Sequence, residues 1–475
     1  MKKLFLIILC IFIAILFISC GGNGDGDNDG GNSISKPIIQ SFTVSLDAIY
    51  VGGTVTLSWN VSGADTISID NGIGNVSSSG TETVTLDTKG TVNFTLTATN
   101  SGGTSTAQAT VRVLEVSWTK IYGGVSDDHS SSVQQTSDGG YIIGGWSKSY
   151  GAGGQDIYLV KTDSSGNQLW AKTFGGLNDE WGGPIQQTSD GGYILSGDTL
   201  SYGAGGKDIY LIKTDSSGNQ LWEQTFGGAN NDAGWSVRQT SDNGYIIAGY
   251  TMSYGSGEWD IYLVKTDSSG NQLWAKTFGG ASMDVSYSVR QTSDGGYIIV
   301  GGTYSYGEGD CDIYLIKTDS SGNQLWAKTF GGVDYDCGLS IQQTSDSGYI
   351  IAGLTDSFSG GDFDFYLIKT DSSGNKVMER TFGGTDSDYG YTVQQTSDYG
   401  YVIVGSTRSY GEGLLDVYIV KTDSYGDIIW EQTFGGTESD EGRSVQQTTD
   451  GGYIIVGISK SFGPGEEDFY LIKID

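Results

Sequence analysis

The sequence predicts an all-β protein in two parts, a small strand-rich module followed by a closed ring of repeated sheets, and three observations carry that prediction. A unit of 52 residues recurs from Trp118 onward, placing the tyrosine of a Gly-Tyr step at Tyr141, Tyr193, Tyr245, Tyr297, Tyr349, Tyr401 and Tyr453. Each copy divides into four short strand-like runs joined by polar, glycine-bearing turns. The first copy is preceded by a spare run that aligns with a fourth strand, and the last copy stops without one. A unit this short cannot bury its own apolar faces, so the copies must stack on one another.

Within the first copy the runs are SVQQT (132–136), YIIGGWS (141–147), DIYLVKTD (156–163) and QLWAKTF (168–174). The turns Ser137-Asp138-Gly139-Gly140 and Ser164-Ser165-Gly166-Asn167 are hairpin-sized, which makes neighbouring strands antiparallel. Apolar residues fill both parities of the second and third runs, so both faces of the sheet are covered. A four-stranded sheet covered on both faces by its own copies describes a propeller blade. The spare run VSWTKIYGG (116–124) supplies the strand that the terminal LIKID (471–475) lacks. Pairing the two closes a seven-bladed β-propeller over residues 115–475 and removes two exposed edges.

Residues 36–114 alternate strand-like runs such as VTLSWNVS, TISID, VNFTLTATN and TAQATVRV with polar turns, the spacing of an antiparallel β-sandwich. The stretches TLSWNVSGADTISIDNGIG and FTLTATNSGGTSTAQATVRV resemble Ig-like modules of bacterial surface proteins. The resemblance implies a stalk or spacer whose core is anchored by Trp59 without a disulfide. In the repeats, KTDSSGNQLWAKTFGG resembles the unit of PQQ-type propellers, with Asp163, Gly166 and Trp170 at similar places. Residues 118–475 as a whole resemble the repeat propellers of bacterial surface lipoproteins.

At the other end, Lys2 and Lys3 precede an apolar run from Leu4 to Ile18, the layout of an export signal over residues 1–19 and too short to span a membrane comfortably. Phe17-Ile18-Ser19-Cys20 resembles the lipobox of bacterial lipoproteins, which implies that Cys20 carries lipid. Residues 20–35, rich in Gly, Asp and Asn, then read as a flexible tether. The expected location is the cell envelope, lipid-anchored and facing the surface or the periplasm, with the membrane contacted through lipid only. A net charge of −31 repels nucleic acid. A monomer is expected.

Comparison among the seven copies separates scaffold from candidate site. The turns between strands one and two and between strands three and four hardly vary, whereas the loops on the opposite face do. A ligand site needs residues that are not repeated seven times. Trp235, Tyr287 and Tyr391 share one repeat position that is Ser131, Gly183, Leu339 and Arg443 elsewhere. Together with Arg443 and the irregular Trp146, Trp181 and Trp259 they form the candidate ligand platform. The tryptophans at 118, 170, 222, 274, 326 and 430, replaced by Met378 in one copy, read as packing between blades. Gln135 and its equivalents, with the preceding residue Gln except at Arg238 and Arg290, read as a polar channel lining.

Two acids per copy, Asp128 with Asp156 in the first and Asp336 with Asp364 in the fifth, recur on the variable face. Turn capping by Asp side chains is the preferred reading, with calcium near Asp336 and Asp312 as the alternative. Cys311 and Cys337 are placed in loops entering the third strand and leaving the fourth strand of one blade, where an exported protein would join them by a disulfide. His129 is the single imidazole and reads as a solvated loop residue. The expected function is a binding or interaction module for a glycan, peptide or protein partner, with no catalytic residue assigned and no cofactor required. An extracellular glycan-degrading enzyme or a quinoprotein-like oxidoreductase is the alternative.

Overall fold

The computed structural model describes residues 34–475, and every regular element among them is a β-strand. The leader, Cys20 and the tether up to residue 33 lie outside the described residues. Two compact units are present. One gathers Ser58–Gly80, Phe94–Gln108 and the described residues before Thr43; the other gathers Thr43–Leu57, Thr81–Asn93 and Ala109–Asp475. Strands between Ile38 and Leu114 form a three-stranded and a five-stranded sheet. Alternating residues Leu57, Phe94, Leu96, Ala98 and Val111 are fully buried there. Trp59 is buried too, and its Nε1 donates to the Ser77 carbonyl at 2.9 Å, which removes the cost of enclosing the indole N–H.

From Asp128 onward each repeat forms one four-stranded antiparallel sheet, the first from Asp128–Gln135, Tyr141–Ser147, Asp156–Thr162 and Gln168–Phe174. Seven such sheets follow one another among the described residues. The last combines Asp440–Gln447, Tyr453–Ser459 and Asp468–Ile474 with Val116–Tyr122, in the register Phe469 opposite Tyr122. The expected N-terminal strand therefore completes the final sheet. The middle strands are buried along nearly their whole length because a neighbouring sheet lies on each side. The fourth-strand tryptophans pack edge-on against the Gly-Tyr tyrosine of the next sheet, as Trp170 does against Tyr193 with ring centres 5.9 Å apart.

The innermost strand begins earlier than the strand-like run read from the sequence, at Asp128 rather than at Ser132. A β-bulge explains the difference. In the first sheet Ser130 pairs with Gly145 and Ser132 with Gly144, so Ser131 is skipped. The same slip omits Trp235, Tyr287, Leu339, Tyr391 and Arg443 in the third to seventh sheets, and Gly183-Pro184 in the second. The bulge breaks the period of two, which hides the first half of each strand from a pattern search.

Candidate functional site

The skipped residues include the seven members of the variable ring, with Pro184 in addition in the second sheet. A bulged residue has no partner in the ladder, so its side chain is re-aimed and free of the pairing constraints that fix its neighbours. All seven sit half-buried at one mouth of the space enclosed by the innermost strands, around a cavity of about 440 Å³. Trp146, Trp181, Trp235, Tyr287, Tyr391 and Arg443 of the expected platform all line it. Trp259 does not line it. It stacks at 4.5 Å on Tyr250, which in turn meets Trp235 edge-on at 5.0 Å, so Trp259 supports the wall from behind.

The rings are held by one another before any ligand arrives. Trp235 and Tyr287 stack with centres 5.0 Å apart and planes 14° from parallel. The Arg443 guanidinium lies 4.5 Å over the Tyr391 ring and donates from Nη2 to Glu441 at 2.5 Å, while its buried Nε has no partner among the described residues. Lys207 Nζ is 3.2 Å over the Trp181 ring. Stacking of this kind fixes side-chain rotamers and lowers the entropy cost of binding.

Two further cavity residues, Asp198 and His129, lie outside the expected platform. Asp198 occupies the position of Trp146, Tyr250 and Ile458 in other sheets, and it is the one carboxylate on the cavity wall among the described residues. It is 5% exposed and accepts the Gly234 N–H at 3.1 Å. Burial pushes its carboxyl up to about 6, against the opposing pull of that hydrogen bond, Lys207 and Trp235. The sequence carries only a weak signal for it: Trp146, Asp198, Tyr250, Gly302, Leu354, Ser406 and Ile458 share no consensus, and Asp198 stands out only as the one charged member of that column.

His129 corrects the solvated-loop expectation. The early strand start places it in the ladder opposite Trp146, on which it stacks at 4.1 Å, and Nε2 contacts Glu467. Burial lowers the imidazole below its ordinary value, against the pull of the Glu467 carboxylate.

The acids pair between sheets. Asp312 and Asp336 flank Gly331, where an added Cβ would lie 2.1 Å from one carboxylate and 2.7 Å from the other. This is why the strand exits need glycine. Asp336 Oδ2 accepts from the Gly332 N–H at 2.8 Å and the Ser357 hydroxyl at 2.6 Å, and Asp312 Oδ2 accepts the Glu308 N–H at 2.8 Å, as turn-capping carboxylates do. No group of three or more His, Cys, Asp or Glu suited to a metal occurs among the described residues. Cys311 and Cys337 come together as buried free thiols, each within reach of the same Gly302 face. Cys337 is the second residue of the innermost strand Asp336–Gln343 of the following sheet, where the loop expectation failed for the same reason as at His129.

The WD40 domain of Pan2 from Neurospora crassa superposes with a TM-score of 0.50, covering 76% of this chain and 95% of that one at 11% identity. The repeat region is a β-propeller. At that identity the likeness establishes the fold alone. A quinoprotein alcohol dehydrogenase-like protein from Bacteroides thetaiotaomicron, at 10% identity, covers 84% of this chain and 97% of its own with a TM-score of 0.36, too low to carry an argument. No protein-family model matches the propeller or the rest of the chain. Regulatory protein FlaEY of Caulobacter vibrioides is 25% identical over 167 residues, 30% of this chain. The chain spans only 18% of that relative's length.

Proposed function

We propose that the chain is an exported surface protein, lipid-anchored through Cys20, whose seven-bladed propeller is a binding module and whose Ig-like module holds it off the membrane. The ligand is a glycan, a peptide or an exposed segment of a protein partner, taken at the aromatic channel mouth. One observation carries this reading: the residues that break the sevenfold repeat converge, through seven equivalent bulges, on a single cavity. Trp, Tyr and Arg are the side chains that dominate binding energy at protein surfaces, and here they are already locked against one another. A binder is favoured over a glycan-degrading enzyme because the cavity wall offers Asp198 as its one carboxylate among the described residues, whereas glycoside hydrolysis takes two.

The test is retention of the full-length protein on immobilised polysaccharides and peptides, scored together with the appearance of new reducing ends or cleaved peptide. Retention without cleavage that falls at least tenfold in the Trp235→Ala, Tyr287→Ala, Tyr391→Ala triple variant, with the circular dichroism spectrum unchanged, is the expected result. Cleavage would refute the reading.

A further inference from the structure

Beneath the aromatic mouth the innermost strands enclose a second cavity of about 250 Å³, lined by polar side chains. Its scaffold is a ring of latches. The side-chain oxygens of Gln134, Gln186, Gln342, Gln394 and Gln446 each accept the backbone N–H of a residue on the next blade's innermost strand, at 2.6 to 2.8 Å. At the two remaining positions the chain carries Arg238 and Arg290, on neighbouring strands. A guanidinium has five N–H donors and no acceptor, so it cannot serve as a latch. The N–H groups of Gln291 and Gln343, equivalent to those latched elsewhere, therefore have no glutamine to accept them. Two cations and two main-chain donors replace two acceptors in one sector of the channel.

We propose that this sector binds a small oxyanion of the phosphate, sulfate or carboxylate class between Arg238 and Arg290. Each guanidinium spends Nη1 on the carbonyl of the residue before it, Val237 at 3.1 Å and Val289 at 3.0 Å, which steadies the fork. Neither forms an ion pair among the described residues, and no carboxylate lines the cavity, although the chain carries 56 acidic residues. Both side chains are half-buried, keeping part of their surface open to the channel, and two like charges side by side in a confined space are costly unless an anion pairs them. Burial lowers the Arg238 guanidinium to about 10, and burial with the neighbouring Arg238 charge lowers Arg290 as well. An oxyanion relieves both effects at once, because two planar forks present parallel N–H donors to its oxygens.

The test compares the full-length protein with the Arg238→Gln, Arg290→Gln double variant, which restores the side chain used at the other five positions and so is expected to fold. Sodium phosphate, sulfate and acetate are titrated calorimetrically against sodium chloride at matched ionic strength. Saturable binding of at least one anion at one site per chain, with affinity reduced at least tenfold in the double variant, is expected. The same anion should raise the Tm of the native protein and leave that of the variant unchanged, and without anion the variant should melt higher than the native chain. No saturable binding of any of the three, or identical isotherms for the two proteins, would overturn the proposal. The mouth aromatics are untouched by the substitutions, so retention on glycan or peptide reports on the binding module independently.

Discussion

Gln446 Oε1 accepts the backbone N–H of Gln135 at 2.6 Å, and this bond joins the innermost strand of the last blade to that of the first. Four equivalent latches hold other blade pairs, but this one closes the ring between residues far apart in sequence. Replacing Gln446 with Leu leaves the N–H of Gln135 without its acceptor at little change in volume. The expected loss is about 1 kcal/mol, seen as a lower Tm in thermal unfolding. Gln394→Leu removes a latch between consecutive blades and should cost a similar amount. If unfolding starts at the closure, Gln446→Leu should additionally accelerate hydrogen exchange in Val116–Tyr122, the strand that completes the last sheet.

Stability should pass through a maximum near pH 4 to 5 in the presence of a chelator. Burial raises the carboxyl of Asp312 from its ordinary 3.8 to about 6, reinforced by the nearby Asp336, and Asp416 is raised to about 6 by burial and Asp440. A carboxyl raised on folding stabilises fully below about pH 4, and that contribution is lost as pH rises through 6. Asp294 and Asp346 run the other way. Burial pushes them up, but hydrogen bonds from Thr292 and Lys317, and from Lys369 and Thr344, outweigh it and hold both at about 2. Their stabilisation is present above about pH 4 and disappears as pH falls to 2. Calcium held between Asp312 and Asp336 would remove the loss on the alkaline side, so a higher Tm at pH 7 in calcium than in chelator is the outcome expected of that site. Equal values would eliminate it.

What could be read from the sequence was whatever repeats. Seven copies of Tyr141 and its equivalents announced stacked sheets, and the surplus run at Trp118 announced the strand that completes the last one. The irregular Trp235, Tyr287 and Tyr391 were visible because the other copies supply a background against which they stand out. The bulge that gathers them was not visible, since it leaves no composition signal and erases the alternation around it. That single feature accounts for the late strand start and for the misplacement of His129 and Cys337 in loops. Contacts between copies were equally hidden. In sequence the glutamines next to Gln135 read as a passive lining, and only the geometry shows that they latch one blade to the next while Arg238 and Arg290 cannot.

Asp198 gives the cavity a charge that depends on pH in the neutral range. Its folded carboxyl titrates at about 6, raised by burial from 3.8, so the enclosed charge destabilises the native state above pH 6 and not below about pH 4. Asp198→Asn keeps an oxygen able to accept the Gly234 N–H and removes the charge. The variant should therefore be more stable than the native protein at pH 8, by up to about 3 kcal/mol if the shift is fully expressed, and no more stable at pH 4. Chemical unfolding at the two pH values measures both. A variant that is destabilised equally at pH 4 and pH 8 would mean that the carboxylate is held by donors that outweigh its burial. The same substitution separates two uses of the site: a cationic or hydroxyl-rich ligand that bonds to the ionised carboxylate loses affinity in Asp198→Asn, and its binding to the native protein weakens as pH falls from 7 to 5. A ligand held by the aromatic wall alone changes in neither experiment.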